Sequence, residues 1–238
     1  MRNLLFTVTL AALPGATVVA ADGAPTPSFT HTTFVQGDRS MQNLIDFPDV
    51  DIDTEVIVTC TSHATAKGRL KDGRCSSPGD PDLKFTMAVS RRFNSTRLIP
   101  ATVNGKAEEV DFQFTVIFRK EGESEILDVY PHNMKNVDRL GLEYIGAQRY
   151  SPHPWPGRCG TNRFDEMIME VAIVSALGKP TDVNVMAANF GLPASCREGF
   201  LTALRNGRWI PALYAGEFVD AVWANPRVIV KVPFKRQQ

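Results

Sequence analysis

Apolar and polar residues alternate most regularly where Val110, Phe112, Phe114, Val116 and Phe118 are interleaved with Asp111, Gln113 and Thr115. A period of two predicts a strand with one buried face. Upstream, the β-branched run Glu55 to Thr61 reads as a strand, Lys67-Gly68 as a turn, and Arg69 to Cys75 as an antiparallel return. A two-residue loop at Lys67-Gly68 places Cys60 opposite Cys75, a geometry that allows a cross-strand disulfide. In that register Leu70 faces away from the side that holds Val56 and Val58. Asp80-Pro81 then supplies an N-cap and a first helical residue, opening a helix that carries Leu83, Met87 and Phe93. Asn104-Gly105 marks a turn before the alternating strand. The order is strand, strand, helix, strand.

The same order returns in the second half. Met167 to Ser175 is an apolar strand, Leu177-Gly178-Lys179-Pro180 a turn, and Asp182 to Met186 a return with Val183 and Val185 on one face. Ser195 and Glu198 have capping-box spacing, Phe200 and Leu204 share a helix face, and Gly207 can close that helix. Val228, Val230 and Val232 alternate at the end. Arg97, Ile99, Pro100, Ala101 and Gly105 match Arg208, Ile210, Pro211, Ala212 and Gly216, each 111 residues later. Five identities in one short window of two equivalent strings indicate a duplication. The fold expected is α+β: two tandem β-β-α-β modules, each a small antiparallel sheet covered by one helix.

The ends and joints complete the organisation. Arg2, an apolar run from Leu4 to Leu13 and a small-residue exit at Val18, Ala20 and Ala21 have the layout of a secretory signal peptide over 1–21. Residues 22–45 read as an extended leader, 46–120 as module one, 121–154 as a linker and 155–238 as module two. No later segment is long enough to span a bilayer, so no integral membrane span is expected in the mature chain, which would be periplasmic or secreted. Four cysteines in an exported chain make disulfides the default, with three connectivities open. Local pairing within each module gives Cys60 with Cys75 and Cys159 with Cys196. Lys plus Arg equals Asp plus Glu at 26 each, so no net field favours nucleic acid.

Little in the chain points to catalysis. G-x-S-x-G, Walker, H-E-x-x-H and dinucleotide-binding patterns are absent from the sequence. Asp46, Asp49, Asp51, Asp53 and Glu55 lack the spaced Gly and terminal Glu of a calcium loop and read as a solvated acidic face. No metal and no cofactor is expected. A sheet covered on one face leaves an edge strand, which can recruit an extended peptide as an additional strand. Val110, Phe112, Phe114, Thr115, Val116 and Phe118 are the expected binding edge.

The segment Arg97-Leu98-Ile99-Pro100-Ala101 through Asn104-Gly105, followed by the alternating strand and repeated from Arg205 to Gly216, resembles the C-terminal domain of TonB and its relatives. Phe47-Pro48 and Trp155-Pro156 stand where relatives carry an aromatic-Pro pair. The resemblance implies a non-catalytic periplasmic module that binds an envelope or outer-membrane protein segment by strand-edge pairing, with a possible link to outer-membrane transport. The chain departs from TonB in its short spacer and in Asn225-Pro226, which interrupts the last strand. The alternative is a structural envelope protein with no peptide ligand, in which the two modules close each other's edges.

Overall fold

The structure, a computed structural model, describes residues 27–152, 159, 166–187 and 192–229. The first string of elements is β1 (Phe29–Thr30), β2 (Thr33–Phe34), α1 (Met41–Leu44), β3 (Val56–Ala64), β4 (Leu70–Ser76) and α2 (Lys84–Ser90). It continues with β5 (Leu98–Ile99), β6 (Ala101–Val103), β7 (Lys106–Glu108) and β8 (Val110–Glu121). After β9 (Ser124–Tyr130) and α3 (Val137–Leu140), a second string runs through β10 (Tyr144–Ile145), β11 (Gln148–Arg149), β12 (Glu166–Val174) and β13 (Pro180–Ala187). It closes with α4 (Ala194–Arg205), β14 (Trp209–Ile210), β15 (Ala212–Tyr214), β16 (Glu217–Val219) and β17 (Ala221–Ile229).

The pairing corrects the expected class. Among the described residues the chain is mostly β, with five sheets and four short helices, so it is not a pair of β-β-α-β modules. The largest sheet has six strands in the order β14-β11-β8-β3-β4, with β9 also on β8. Its β11 and β14 come from the second half, and Ile210 of β14 packs in the same apolar cluster as Phe112 and Phe114. The remaining sheets are β13-β12-β17, β1-β6-β7, β10-β15-β16 and the pair β2-β5. Pieces of two or three residues carry no readable period, which is why Phe29–Phe34 and Tyr144–Arg149 read as leader and linker.

What recurs is a longer string of paired strands. β3 and β12 start and end 110 residues apart, β5 and β14 are 111 apart, and β2 and β11 are 115 apart. Registers recur with them: Thr33 faces Ile99 as Gln148 faces Ile210, and Val56 faces Phe118 as Glu166 faces Ile229. Gly68 and Gly178 mark equivalent turns, at φ of 69° and 73°, and a Cβ on either would run into the carbonyl of Leu98 or Trp209 respectively. Each glycine carbonyl accepts the N–H of that same residue, at 3.0 and 3.2 Å.

Local geometry departs from expectation at three places. In the first hairpin Ala64 faces Leu70 while Cys60 faces Cys75, with a register shift between them and Asp72 at φ 51°. A bulge inserts one residue, so Leu70 and Cys75 both reach the face of Val56 and Val58. Asp80 does cap α2, but across a turn: its buried carboxylate accepts the N–H of Thr86 at 2.7 Å, and the helix starts at Lys84 after Leu83 in the left-handed region. Consequently Phe85 and Val89 face the core, whereas Leu83 and Met87 are exposed. In the second half α4 follows Pro193, with Cys196, Phe200 and Leu204 buried on one face, and Ser195 lies inside the helix rather than capping it.

Both local disulfides are present, Cys60–Cys75 and Cys159–Cys196, as suits an extracytoplasmic protein. No helix among the described residues is long and apolar enough to cross a membrane. The expected signal peptide, Trp155-Pro156, Val230 and Val232 lie outside the described residues.

Candidate functional site

The strand expected to be an open edge is interior. Thr115 faces Thr59 of β3 on one side and Tyr130 of β9 on the other, and its Oγ1 donates to the His132 carbonyl at 2.8 Å. Val110, Phe112, Phe114, Thr115, Val116 and Phe118 are all buried. Alternation shows that one face of a strand is covered; it carries no information about what bonds to its two edges. With β3 along one side and β9 and β11 along the other, β8 is not an edge strand.

The true edges differ in how they are closed. β4 carries Lys71, Asp72, Arg74 and a bulge, features that deter further pairing. Gln42 donates to the Leu127 carbonyl of β9 at 3.0 Å. On β17 three outward backbone groups are taken by side chains from outside its sheet. Asn136 bonds both the N–H and the C=O of Val222, while Gln113 and Asn133 donate to the Ala224 carbonyl. Two and four residues on, the same outward side reaches Pro226, which has no N–H to offer. Pro226 thus sits where a strand tolerates proline.

β13 is treated differently. Its outward positions are Val183, Val185 and Ala187, since Asp182, Asn184 and Met186 face β12. Among the described residues no strand pairs with this edge, and only the Val185 N–H is bonded, to the neighbouring Asn184 side chain at 2.8 Å. Beside it the outer face of the same sheet exposes Met167 and Met186, at 50% and 49%, along with Ile173 and Val228.

A cleft of about 1050 Å³ opens between the two halves, walled by His63, Arg74 and Asp111 on one side and by Arg149, Arg208 and Arg227 on the other. It lies where the repeat has changed chemistry. Phe34, Cys60, Phe114 and Val116 fill the first core; the equivalent positions hold Arg149, Glu170, Asn225 and Arg227. Glu170 is fully buried and pairs with Arg227 at 2.9 Å. Arg149, 2% exposed, packs 5.3 Å from the Trp209 ring and donates through Nη2 to the Ala203 carbonyl at 2.8 Å. Burial lowers the Arg149 pKa, and nearby Asp111 and Glu170 oppose that. On the other wall Asp111, at 3.5 Å, and Glu109, at 3.1 Å, hold His63 above its ordinary pKa.

These buried polar residues were not among those expected from the sequence. Nothing in their local pattern marks them as buried, but overlaying the two strings at their offsets puts a charge against Phe34, Cys60 and Val116. Among the described residues no group of three or more His, Cys, Asp or Glu side chains is placed to hold a metal. No protein-family model, curated protein or solved structure matches the chain.

Proposed function

We propose that the chain is a non-catalytic extracytoplasmic binding protein that takes an extended polypeptide segment of an envelope protein onto the outer edge of β13. The observation that carries this reading is the asymmetry of one sheet: β17 is clamped by Asn136, Gln113 and Asn133, whereas among the described residues β13 has no partner strand on its outward side, beside an exposed apolar face. Unprotected edges of this kind are the surfaces that strand addition uses. The resemblance of Arg97 to Gly105 and its repeat to TonB relatives points to the same mode of recognition, though to a different strand from the one first expected. A link to outer-membrane transport belongs to that same proposal.

The rival reading is a structural protein without a peptide ligand, favoured by the closure of β17 by the first half. Site-specific photocrosslinking separates the two. A crosslinker at Met186 should trap an envelope polypeptide, and one at Asp72 on β4 should not. Val183→Pro, which removes one outward N–H and leaves the β12 ladder intact, should abolish the adduct without unfolding the chain. Equal trapping at both positions, or an adduct indifferent to Val183→Pro, would sink the β13 reading.

A further inference from the structure

The cleft between the halves is distinct from the β13 edge. Replacing Phe34, Cys60 and Val116 of one core by Arg149, Glu170 and Arg227 in the other exchanges apolar contacts for desolvated charge. A buried ion pair of this kind is often less stabilising than the apolar residues it replaces. Arg227 is engaged by Glu170, Lys106 by Glu108, and His63 by Glu109 and Asp111. The acids of the cleft are thus largely committed to their own cations.

Among the described residues three guanidinium groups of the cleft make no ion pair, those of Arg74, Arg149 and Arg208, and the last two stand on the same wall. Arg149 uses Nε on Ser151 and Nη2 on the carbonyls of Pro152 and Ala203, while its buried Nη1 has no hydrogen-bond acceptor. A buried donor left unpaired costs about 1–3 kcal/mol, and an ion or ligand is one of the few remedies. Arg208, exposed at the same cleft, stacks 5.1 Å from the Tyr150 ring and makes no ion pair among the described residues. Planar guanidinium forks match the geometry of carboxylates and phosphates.

We infer that this cleft holds a small ligand by an oxyanion, carboxylate or phosphate, set against Arg149 and Arg208. The test is calorimetric titration of the full chain with sodium phosphate and with sodium citrate, each against sodium chloride at matched ionic strength. Saturable binding of at least one is expected, and which anion binds identifies the oxyanion. Arg208→Gln and Arg149→Lys should each weaken it about tenfold, the loss of one charge-assisted contact, while Arg91→Gln, outside the cleft, leaves it unchanged. Arg208 is exposed, so its variant should keep the wild-type thermal midpoint and decides the matter if Arg149→Lys does not fold. Absence of saturable binding beyond chloride for both anions, or binding that Arg208→Gln leaves intact, overturns the inference.

Discussion

Asn136 bonds the backbone of Val222 as a neighbouring strand would. The Val222 N–H donates to Asn136 Oδ1 at 2.9 Å, and Asn136 Nδ2 donates to the Val222 carbonyl at 2.9 Å. A side chain that follows the first string thereby closes an edge of the second sheet. Asn136→Ala should cost about 2 kcal/mol, because two partly buried backbone groups lose their partners together. Urea unfolding measures the loss, and light scattering should show the uncovered β17 edge promoting association.

Thr115→Pro should unfold the protein rather than spare it. The substitution removes a backbone N–H from β8 where β3 and β9 pair on either side of it, and removes the Thr115 hydroxyl that bonds the His132 carbonyl. The expected loss exceeds about 3 kcal/mol, read as a collapsed thermal midpoint. A folded, stable Thr115→Pro variant would contradict the interior position of β8.

Gly68→Ala and Gly178→Ala should be destabilising to a similar extent, each by at least about 2 kcal/mol. A left-handed φ must then be held by a residue with a Cβ, and that Cβ meets a backbone carbonyl that cannot move freely. Gly105→Ala, equally left-handed but with open space around it, should cost less. Parallel denaturation curves test whether the two turns are equivalent.

Acid should weaken the fold through His31 and His132. Burial lowers both pKa values below 6.5, opposed in part by bonds to the carbonyls of Pro211 and Leu142. The unfolded chain then binds more protons, so stability present above the unfolded pKa is lost as pH falls through it. His132 is poorly placed to accept a proton, since its Nδ1 already receives the Met134 N–H at 3.2 Å. His63 acts in the opposite sense: its pKa is raised, so its contribution is present below the unfolded value and lost as pH rises through the folded one. Urea midpoints between about pH 7 and pH 5 should fall less steeply in His132→Gln and more steeply in His63→Gln.

Removing the bridges should cost about 3 kcal/mol for Cys60–Cys75 and about 4 kcal/mol for Cys159–Cys196, following their separations of 15 and 37 residues. Paired Cys→Ala variants under non-reducing conditions give the values by chemical denaturation. A larger loss at the shorter loop would show that core packing around the fully buried Cys60 outweighs chain entropy.

Much of the local grammar was legible in the sequence: the strand from Val110, the hairpin that brings Cys60 to Cys75, the glycine turns, and the recurrence announced by Ile99-Pro100-Ala101 and Ile210-Pro211-Ala212. These signals act over a few residues, through backbone sterics and side-chain alternation, so neighbours in sequence suffice to fix them. Tertiary structure alone decided which strands have partners. Alternation buries Phe112 and Phe114 whether β8 is an edge or a centre, and only the arrival of β3, β9 and β11 makes it a centre. The same holds for Arg149, which sits among polar neighbours in sequence and is buried because β11 crosses to pair with Asp111 of β8 and with Trp209 of β14. β9 reaches β8 through the local turn at Gly122, whereas β3 and β11 pair with β8 across more than thirty residues, which depends on which surfaces remain free once every shorter contact has formed.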